Sequence, residues 1–94
     1  MNHMPSIEQL ESVHTFPGPY TFKLFGPNDD AFAESARQAA VGLVGNEAFV
    51  RSTERESSGG KHVCVTLEVH VQSAEHVRAL YDDFVELPDL RMML

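Results

Sequence analysis

The stretch that most constrains the fold runs from Lys61 to Gln72, where every second residue is aliphatic. The aliphatic residues are Val63, Val65, Leu67, Val69 and Val71, and they alternate with His62, Cys64, Thr66, Glu68 and His70. Because successive side chains of a β-strand point to opposite faces, the two sets lie on opposite faces of one strand. The pattern predicts a central strand in a sheet that is covered on one side only.

The length and charge of the chain narrow its class. Its 94 residues make one small domain, with room for a single core but not for a deep internal cavity. The formal net charge of -7 argues against a nucleic-acid partner, because binding to phosphates needs concentrated positive charge. Cys64 is the one cysteine, and no apolar run approaches the roughly 20 residues of a membrane span. We therefore expect a cytoplasmic protein without a membrane contact.

The residues before the central strand predict a strand, a helix and an edge strand. Tyr20 to Gly26 alternates like a strand, and a helix follows from about Asp30 to Val44. The charged stretch from Ala48 to Glu56 is typical of an edge strand. Ser57-Ser58-Gly59-Gly60 predicts a hairpin turn that joins this edge strand antiparallel to the central one.

The remaining residues complete a βαββαβ order. A second helix starts after Ser73 and ends before Pro88, and the chain closes on a short strand with Leu90, Met92 and Leu94 inward. We predict an α+β, ferredoxin-like fold: a four-stranded antiparallel sheet in the order four, one, three, two, with two helices on one face. Residues 1–15 are predicted to be an N-terminal tail with a short helix, and residues 16–94 a single domain.

Four segments of the chain form a recognisable set: Phe16-Pro17-Gly18-Pro19-Tyr20-Thr21-Phe22-Lys23, Ser57-Ser58-Gly59-Gly60, Leu80-Tyr81-Asp82-Asp83 and Arg91-Met92-Met93-Leu94. Together they resemble the YbeD-like family of small bacterial proteins. The resemblance covers roughly residues 7–94. It implies an ACT-like domain, similar to the small-molecule regulatory modules of amino-acid metabolism. It also implies a regulator linked to lipoate, without enzyme activity.

The turn after the first strand is a candidate ligand site. In ACT-like domains this loop commonly meets a small molecule, and here it contains Gly26, Asn28 and Asp29. Glycine admits close approach of a ligand, and free amides at a helix start bind anionic groups. The alternative is an ordinary glycine turn with a capped helix.

The residues of the chain do not assemble into a catalytic or metal site. Nothing in the sequence supplies Cys64 with both a base and an oxyanion donor. His62 and His70 would lie roughly 26 Å apart along one strand, too far to share a metal ion. Cys64, Glu68 and His70 would likewise be spread along a rigid strand. We expect no enzyme activity, no metal and no cofactor.

The uncovered face of the sheet is the candidate interaction surface. We expect it to carry Phe25, Cys64, Thr66 and Met93 among few charges, which is typical of a contact surface. A weak homodimer or a protein partner would then occupy it. The competing hypothesis is a monomer whose open face is covered by the N-terminal segment around Ile7 and Leu10.

Two functions from different classes remain. The first is a non-enzymatic regulatory module that binds a small metabolite, with the lipoate link that the resemblance implies. The second is a protein-interaction adaptor that uses the open sheet face and binds no small molecule. A small-molecule site should show a cleft, whereas an adaptor needs only an exposed face or edge.

Overall fold

Four strands form one antiparallel sheet in the computed structural model, which describes residues 4–45 and 48–94. In chain order the elements are α1 (Ile7–Val13), β1 (Gly18–Pro27), α2 (Asp30–Val44), β2 (Phe49–Glu56), β3 (His62–Val71), α3 (Ala74–Phe84) and β4 (Met92–Met93). The strands lie in the order β2-β3-β1-β4. The predicted ferredoxin-like fold and its strand order are confirmed. In the described part of the chain, no helix is long and apolar enough to cross a membrane.

Strand β3 is central, as its alternation predicts. It pairs antiparallel with β1 on one side and with β2 on the other. Its aliphatic residues, Val63, Val65, Leu67, Val69 and Val71, are all buried. His62 and His70 on the opposite face are exposed. The core therefore lies on one side of the sheet, and the other side, here called the open face, meets solvent.

The turn between β2 and β3 sets the register of the edge strand. Gly60 has a positive φ of 72°, which a side chain would strain, and its amide donates to the carbonyl of Ser57 at 2.9 Å. This closure pairs Arg55 with Cys64 across the two strands. The position of the edge strand thus follows from a glycine turn.

Capped helices cover the core side of the sheet. The Asp29 carboxylate accepts the Phe32 amide at 2.7 Å to begin α2, and the Ser73 hydroxyl accepts the His76 amide at 3.1 Å to begin α3. The residues of α2 that face the core are Phe32, Ala33, Ala36 and Ala40. Because three of them are alanines, α2 can pack close to the strands.

An aromatic cluster joins β1 to α3. The ring of Phe22 meets the rings of Tyr81 and Phe84 edge-on, at centroid distances of 4.8 and 5.1 Å. The hydroxyl oxygens of Tyr20 and Tyr81 lie 3.0 Å apart. Burial, followed by the hydrogen bond to Tyr20, raises the pKa of Tyr81 well above its usual value. The two hydroxyls give α3 one polar anchor inside an apolar layer.

Helix α1 begins with a capping box. The Gln9 amide donates to the Ser6 hydroxyl at 3.1 Å, and the Ser6 amide donates to the Gln9 side-chain oxygen at 2.9 Å. Residues 1–3 of the predicted N-terminal tail lie outside the described residues. The described part of the tail is therefore ordered by a local cap.

Helix α1 packs beside α3, on the core side of the sheet. The Leu10 side chain is 1% exposed and belongs to the core, and Ile7 packs against that core. A guanidinium nitrogen of Arg78 on α3 donates to the carbonyl of Pro5 at 3.3 Å. The hypothesis that Ile7 and Leu10 cover the open face is wrong, because these side chains contribute to the core on the opposite side.

The register of β4 differs by one residue from the prediction. Met93 pairs with Leu24 and is buried, whereas Met92 pairs with Phe25. Met92 and Leu94 are 38% and 51% exposed. The prediction of Met92 and Leu94 inward is wrong, and so is the placement of Met93 on the open face. A shift of one residue exchanges the two faces of a strand, and Met-Met-Leu contains no polar residue that would set the register.

Replacing a central aliphatic residue of β3 should abolish folding. Leu67→Asp places an unpaired carboxylate in the core, at a cost of several kcal/mol. That cost consumes much of the roughly 5–15 kcal/mol by which a small domain is stable. Thr66→Asp, on the open face of the same strand, is the matched control. Thermal unfolding followed by circular dichroism should show a cooperative transition for the control only, and a cooperative transition for Leu67→Asp would contradict the register.

Removing the core contact of α1 should destabilise the whole domain. Leu10→Ala leaves a cavity and should lower the free energy of unfolding by about 2–5 kcal/mol in urea denaturation. Val13→Ala is the control in the same helix, because Val13 is 74% exposed and its loss should change that free energy by no more than about 0.5 kcal/mol. If Leu10→Ala changed the free energy of unfolding as little as Val13→Ala does, α1 would be only loosely attached to the domain.

Candidate functional site

The open face is built from rows of residues that lie side by side across the strands. One row contains Arg55 on β2, Cys64 on β3, Phe25 on β1 and Met92 on β4. Phe25 and Cys64 are half-buried, and Arg55 and Met92 are exposed. The row therefore combines an apolar centre with a cation at one end.

Two further rows lie beside it along the strands. Thr53, Thr66 and Lys23 form the first, and Arg51 and Glu68 belong to the second. A guanidinium nitrogen of Arg51 lies 3.2 Å from a Glu68 carboxylate oxygen, although the Arg51 side chain is 70% exposed. An exposed ion pair of this kind contributes little to stability. These rows make the rest of the face polar.

A groove lies at the hairpin end of the open face. Its volume is about 220 Å³, and it is lined by Phe25, Arg55, Glu56, Ser57, His62, Val63 and Cys64. The exposed lining of the groove is almost entirely apolar, and Arg55 and His62 are among the residues that form it. Pockets for drug-sized ligands are typically about 300–1,000 Å³. A groove of this size suits a short apolar chain or a single side chain better than a large cofactor.

Cys64 forms part of the apolar wall of this groove. Its sulfur lies 3.9 Å from the hydroxyl oxygen of Thr66, which is a weak contact. The thiol is free and half-buried. A thiol in such a position packs as a small apolar side chain.

Two of the three predicted ligand residues make contacts with Phe32 inside the fold. A Cβ atom added at Gly26 would lie 2.5 Å from the ring of Phe32, so the close approach at this glycine is made by Phe32. The Asp29 carboxylate caps α2 by accepting the amide of the same Phe32. Contact of Gly26 and Asp29 with a ligand stays a prediction, and the structure gives both residues a role in holding α2 against β1.

The third predicted ligand residue, Asn28, is connected to the groove. Its side-chain nitrogen donates to a Glu56 carboxylate oxygen at 2.8 Å and to the Gly60 carbonyl at 2.9 Å. Its backbone amide donates to the carbonyl of Lys61 at 3.1 Å. Glu56 lines the groove, so the hydrogen bond from Asn28 holds one of the groove residues in place without Asn28 lining the groove itself.

The structure brings together part of the predicted interaction surface. Phe25, Cys64 and Thr66 share the open face, whereas Met93 is in the core and Met92 takes its place. Arg55 completes the row, whereas the sequence alone indicates only that it is a charged residue of an edge strand. The hairpin turn was the available signal, since counting back from it places Arg55 opposite Cys64.

The sequence is similar over most of its length to known proteins. Residues 11–94 match a family described as protein of unknown function (DUF493). A UPF0250 protein of Shewanella frigidimarina is 30% identical over 85 residues, which are 90% of this chain and 94% of that protein. The UPF0250 protein RSc0326 of Ralstonia nicotianae is 29% identical over 93 residues, covering 99% of this chain and 96% of that protein.

Two solved structures share the fold. The ACT domain from the GTP pyrophosphokinase of Chlorobium tepidum aligns with a TM-score of 0.66 at 6% identity, covering 82% of this chain and 95% of that domain. The C-terminal domain of the MgtC protein from Mycobacterium tuberculosis aligns with a TM-score of 0.66 at 9% identity, covering 86% of this chain and 87% of that domain. At such identities the similarity shows the fold alone.

Adding a methyl group at Gly26 should destabilise the fold by displacing the ring of Phe32. Overpacking of this kind lowers the free energy of unfolding by about 1–3 kcal/mol, which urea denaturation measures. Gly42→Ala in α2 is the control, because the added Cβ meets no atom within 4 Å and alanine favours a helix by about 0.5–1 kcal/mol. A Gly26→Ala protein as stable as the unsubstituted protein would show that the glycine is not needed for packing.

Proposed function

The chain belongs to the DUF493 family of proteins of unknown function, and within it we propose the role of a non-enzymatic regulatory module that binds a small carboxylate metabolite. This membership confirms the resemblance to the YbeD-like family, and the fold is ACT-like. Neither finding assigns a ligand. The proposal rests on the chemistry of the open face.

The groove on the open face is the observation that supports this function. Its apolar part, formed by Phe25 and Cys64, excludes water from a short hydrocarbon chain. Arg55 at the same groove offers a planar guanidinium that matches a carboxylate. A molecule with a carboxylate and a short apolar body fits both features.

The lipoate link implied by the family resemblance agrees with this chemistry. Lipoate and octanoate each combine a carboxylate with a short apolar chain, and the groove volume of about 220 Å³ suits such a chain. Amino acids, the ligands suggested by the ACT-like fold, carry a carboxylate as well. We propose these three groups as the ligands to test.

An adaptor without a small-molecule ligand is the second candidate function. Two apolar side chains at the β4 edge favour it, since Met92 and Leu94 are 38% and 51% exposed. Exposed apolar groups beside polar ones are typical of protein contacts. The weak homodimer predicted from the sequence would use the same face and stays a prediction.

A ligand that occupies the groove should raise the melting temperature. Ligand at a hundred times its dissociation constant adds about 2.7 kcal/mol to the free energy of unfolding. For a domain of this size, that amounts to a rise of about 10 °C or more. A thermal-shift screen with amino acids, lipoate and octanoate measures it.

A bulky side chain placed in the groove tests whether the ligand binds in the groove or elsewhere on the protein. Cys64→Phe should remove the thermal shift, because the larger ring occupies the apolar part of the groove. Thr66→Phe is the matched control, since Thr66 lies on the same face of β3 but does not line the groove. An equal shift in both variants would refute the groove as the site. Turnover of any of these compounds that depends on Cys64 would refute a non-enzymatic role.

A further inference from the structure

The open face carries several basic side chains. The chain has seven lysine and arginine residues. Three of them, Lys23, Arg51 and Arg55, lie on the open face by their strand register. Lys23 and Arg55 make no ion pair with any residue that the structure describes. Two cations on this face are therefore available to an external group.

Negative charge lies mostly elsewhere. Within the described ranges, Glu68 is the acidic residue that the strand register places on the open face. Of the two acids on β2, Glu54 pairs with Arg37 of α2 at 2.9 Å, and Glu56, which lines the groove, accepts the side-chain nitrogen of Asn28 at 2.8 Å. The acidic residues of the three helices, their caps and the segment after α3 are Glu8, Glu11, Asp29, Asp30, Glu34, Glu75, Asp82, Asp83, Glu86 and Asp89. The chain therefore has an acidic helical side and an open face with more cations than acids.

We propose that the open face docks an acidic segment of another protein. Carboxylates of that segment would meet Lys23 on β1 and Arg55 on β2, the two strands on either side of Cys64. An apolar side chain of the segment would pack on Met92, which is 38% exposed beside Phe25. Complementary charge of this kind steers a partner to one face and sets its orientation.

The charge distribution favours this occupant over two others. Two copies meeting face to face would bring their cationic faces together, because a two-fold contact uses the same patch on both copies. A nucleic acid needs cations for many phosphates and aromatic residues for its bases, whereas the described part of the face carries Lys23, Arg51, Arg55 and one aromatic residue, Phe25. An acidic protein segment needs only local cations and a small apolar contact.

This inference deepens the adaptor function proposed above, and its surface shares Arg55, Phe25 and Cys64 with the metabolite groove. Lys23 does not line the groove, so the two binding modes can be separated by substitution. If the unsubstituted protein does not bind the acidic peptide but shows the metabolite shift, the docking surface alone is refuted. The reverse result would refute the metabolite site alone.

The test uses a short fluorescein-labelled peptide in which glutamate and leucine alternate, titrated with the full chain and followed by fluorescence anisotropy. We expect binding that weakens as salt is raised. Lys23→Glu should weaken it about tenfold or more, because it replaces attraction by repulsion. The control is the double variant Ser35→Glu with Gln38→Glu, which makes the same net charge change on exposed positions of α2 and should leave binding unchanged.

Any one of five outcomes would overturn the proposal. The first is equal affinity for a peptide in which glutamine replaces glutamate, and the second is unchanged binding to Lys23→Glu. The third is tighter binding of a single-stranded oligonucleotide at the same face. The fourth is a mass in sedimentation equilibrium that rises with concentration and falls back on Lys23→Glu, since a second copy would then be the occupant. Loss of binding in the α2 control would show a net-charge effect and would also refute the docking surface.

Discussion

Burial of the aliphatic row of β3 is the interaction on which the rest of the structure depends. Val63, Val65, Leu67, Val69 and Val71 are buried along the middle of the sheet, and full burial of such a side chain is worth about 1.5–3 kcal/mol. A slip of one residue would move the whole row into solvent, so the register is strongly fixed. The same constraint orders the opposite face, because each residue between the aliphatic ones must point away from the core. Cys64 and its neighbours therefore lie on the open face because the aliphatic residues between them are buried on the other side.

Most of the fold could be predicted from the sequence because its elements carry strong local signals. Alternation predicts β1 and β3, Gly60 with its positive φ allows the β2–β3 turn, and Ser6 with Gln9 predicts the start of α1. The destination of α1 could not be predicted, since the Leu10 side chain can be buried on either side of a sheet. The register of β4 could not be predicted either. It is set by backbone hydrogen bonds that connect Lys23 with Leu94 and the Phe25 carbonyl with Arg91, and these leave no trace in an apolar dipeptide.

The candidate site shows a similar division between local and long-range information. Phe25 and Cys64 could be placed on the open face by counting along their own strands. The groove between them and Arg55 depends on how three strands and a hairpin come together, which no single segment records. Gly26 illustrates the limit of reasoning from residue type. The sequence indicated correctly that something approaches this glycine closely, but the approaching group is the ring of Phe32 from the next helix.

The distribution of charge follows partly from helix physics. Asp29, Asp30 and Glu75 lie at helix starts, where negative charge complements the dipole and contributes up to about 1 kcal/mol at the surface. Asp82 and Asp83 lie in the last turns of α3, where the same dipole opposes them, so local stability does not account for their charge. Their effect extends through the field around the molecule: an acidic helical side repels anions and leaves the open face as the favourable direction of approach. A net negative chain can in this way receive an anionic group on one face, because the field that the group meets is local and is screened within about 10 Å at 0.1 M salt.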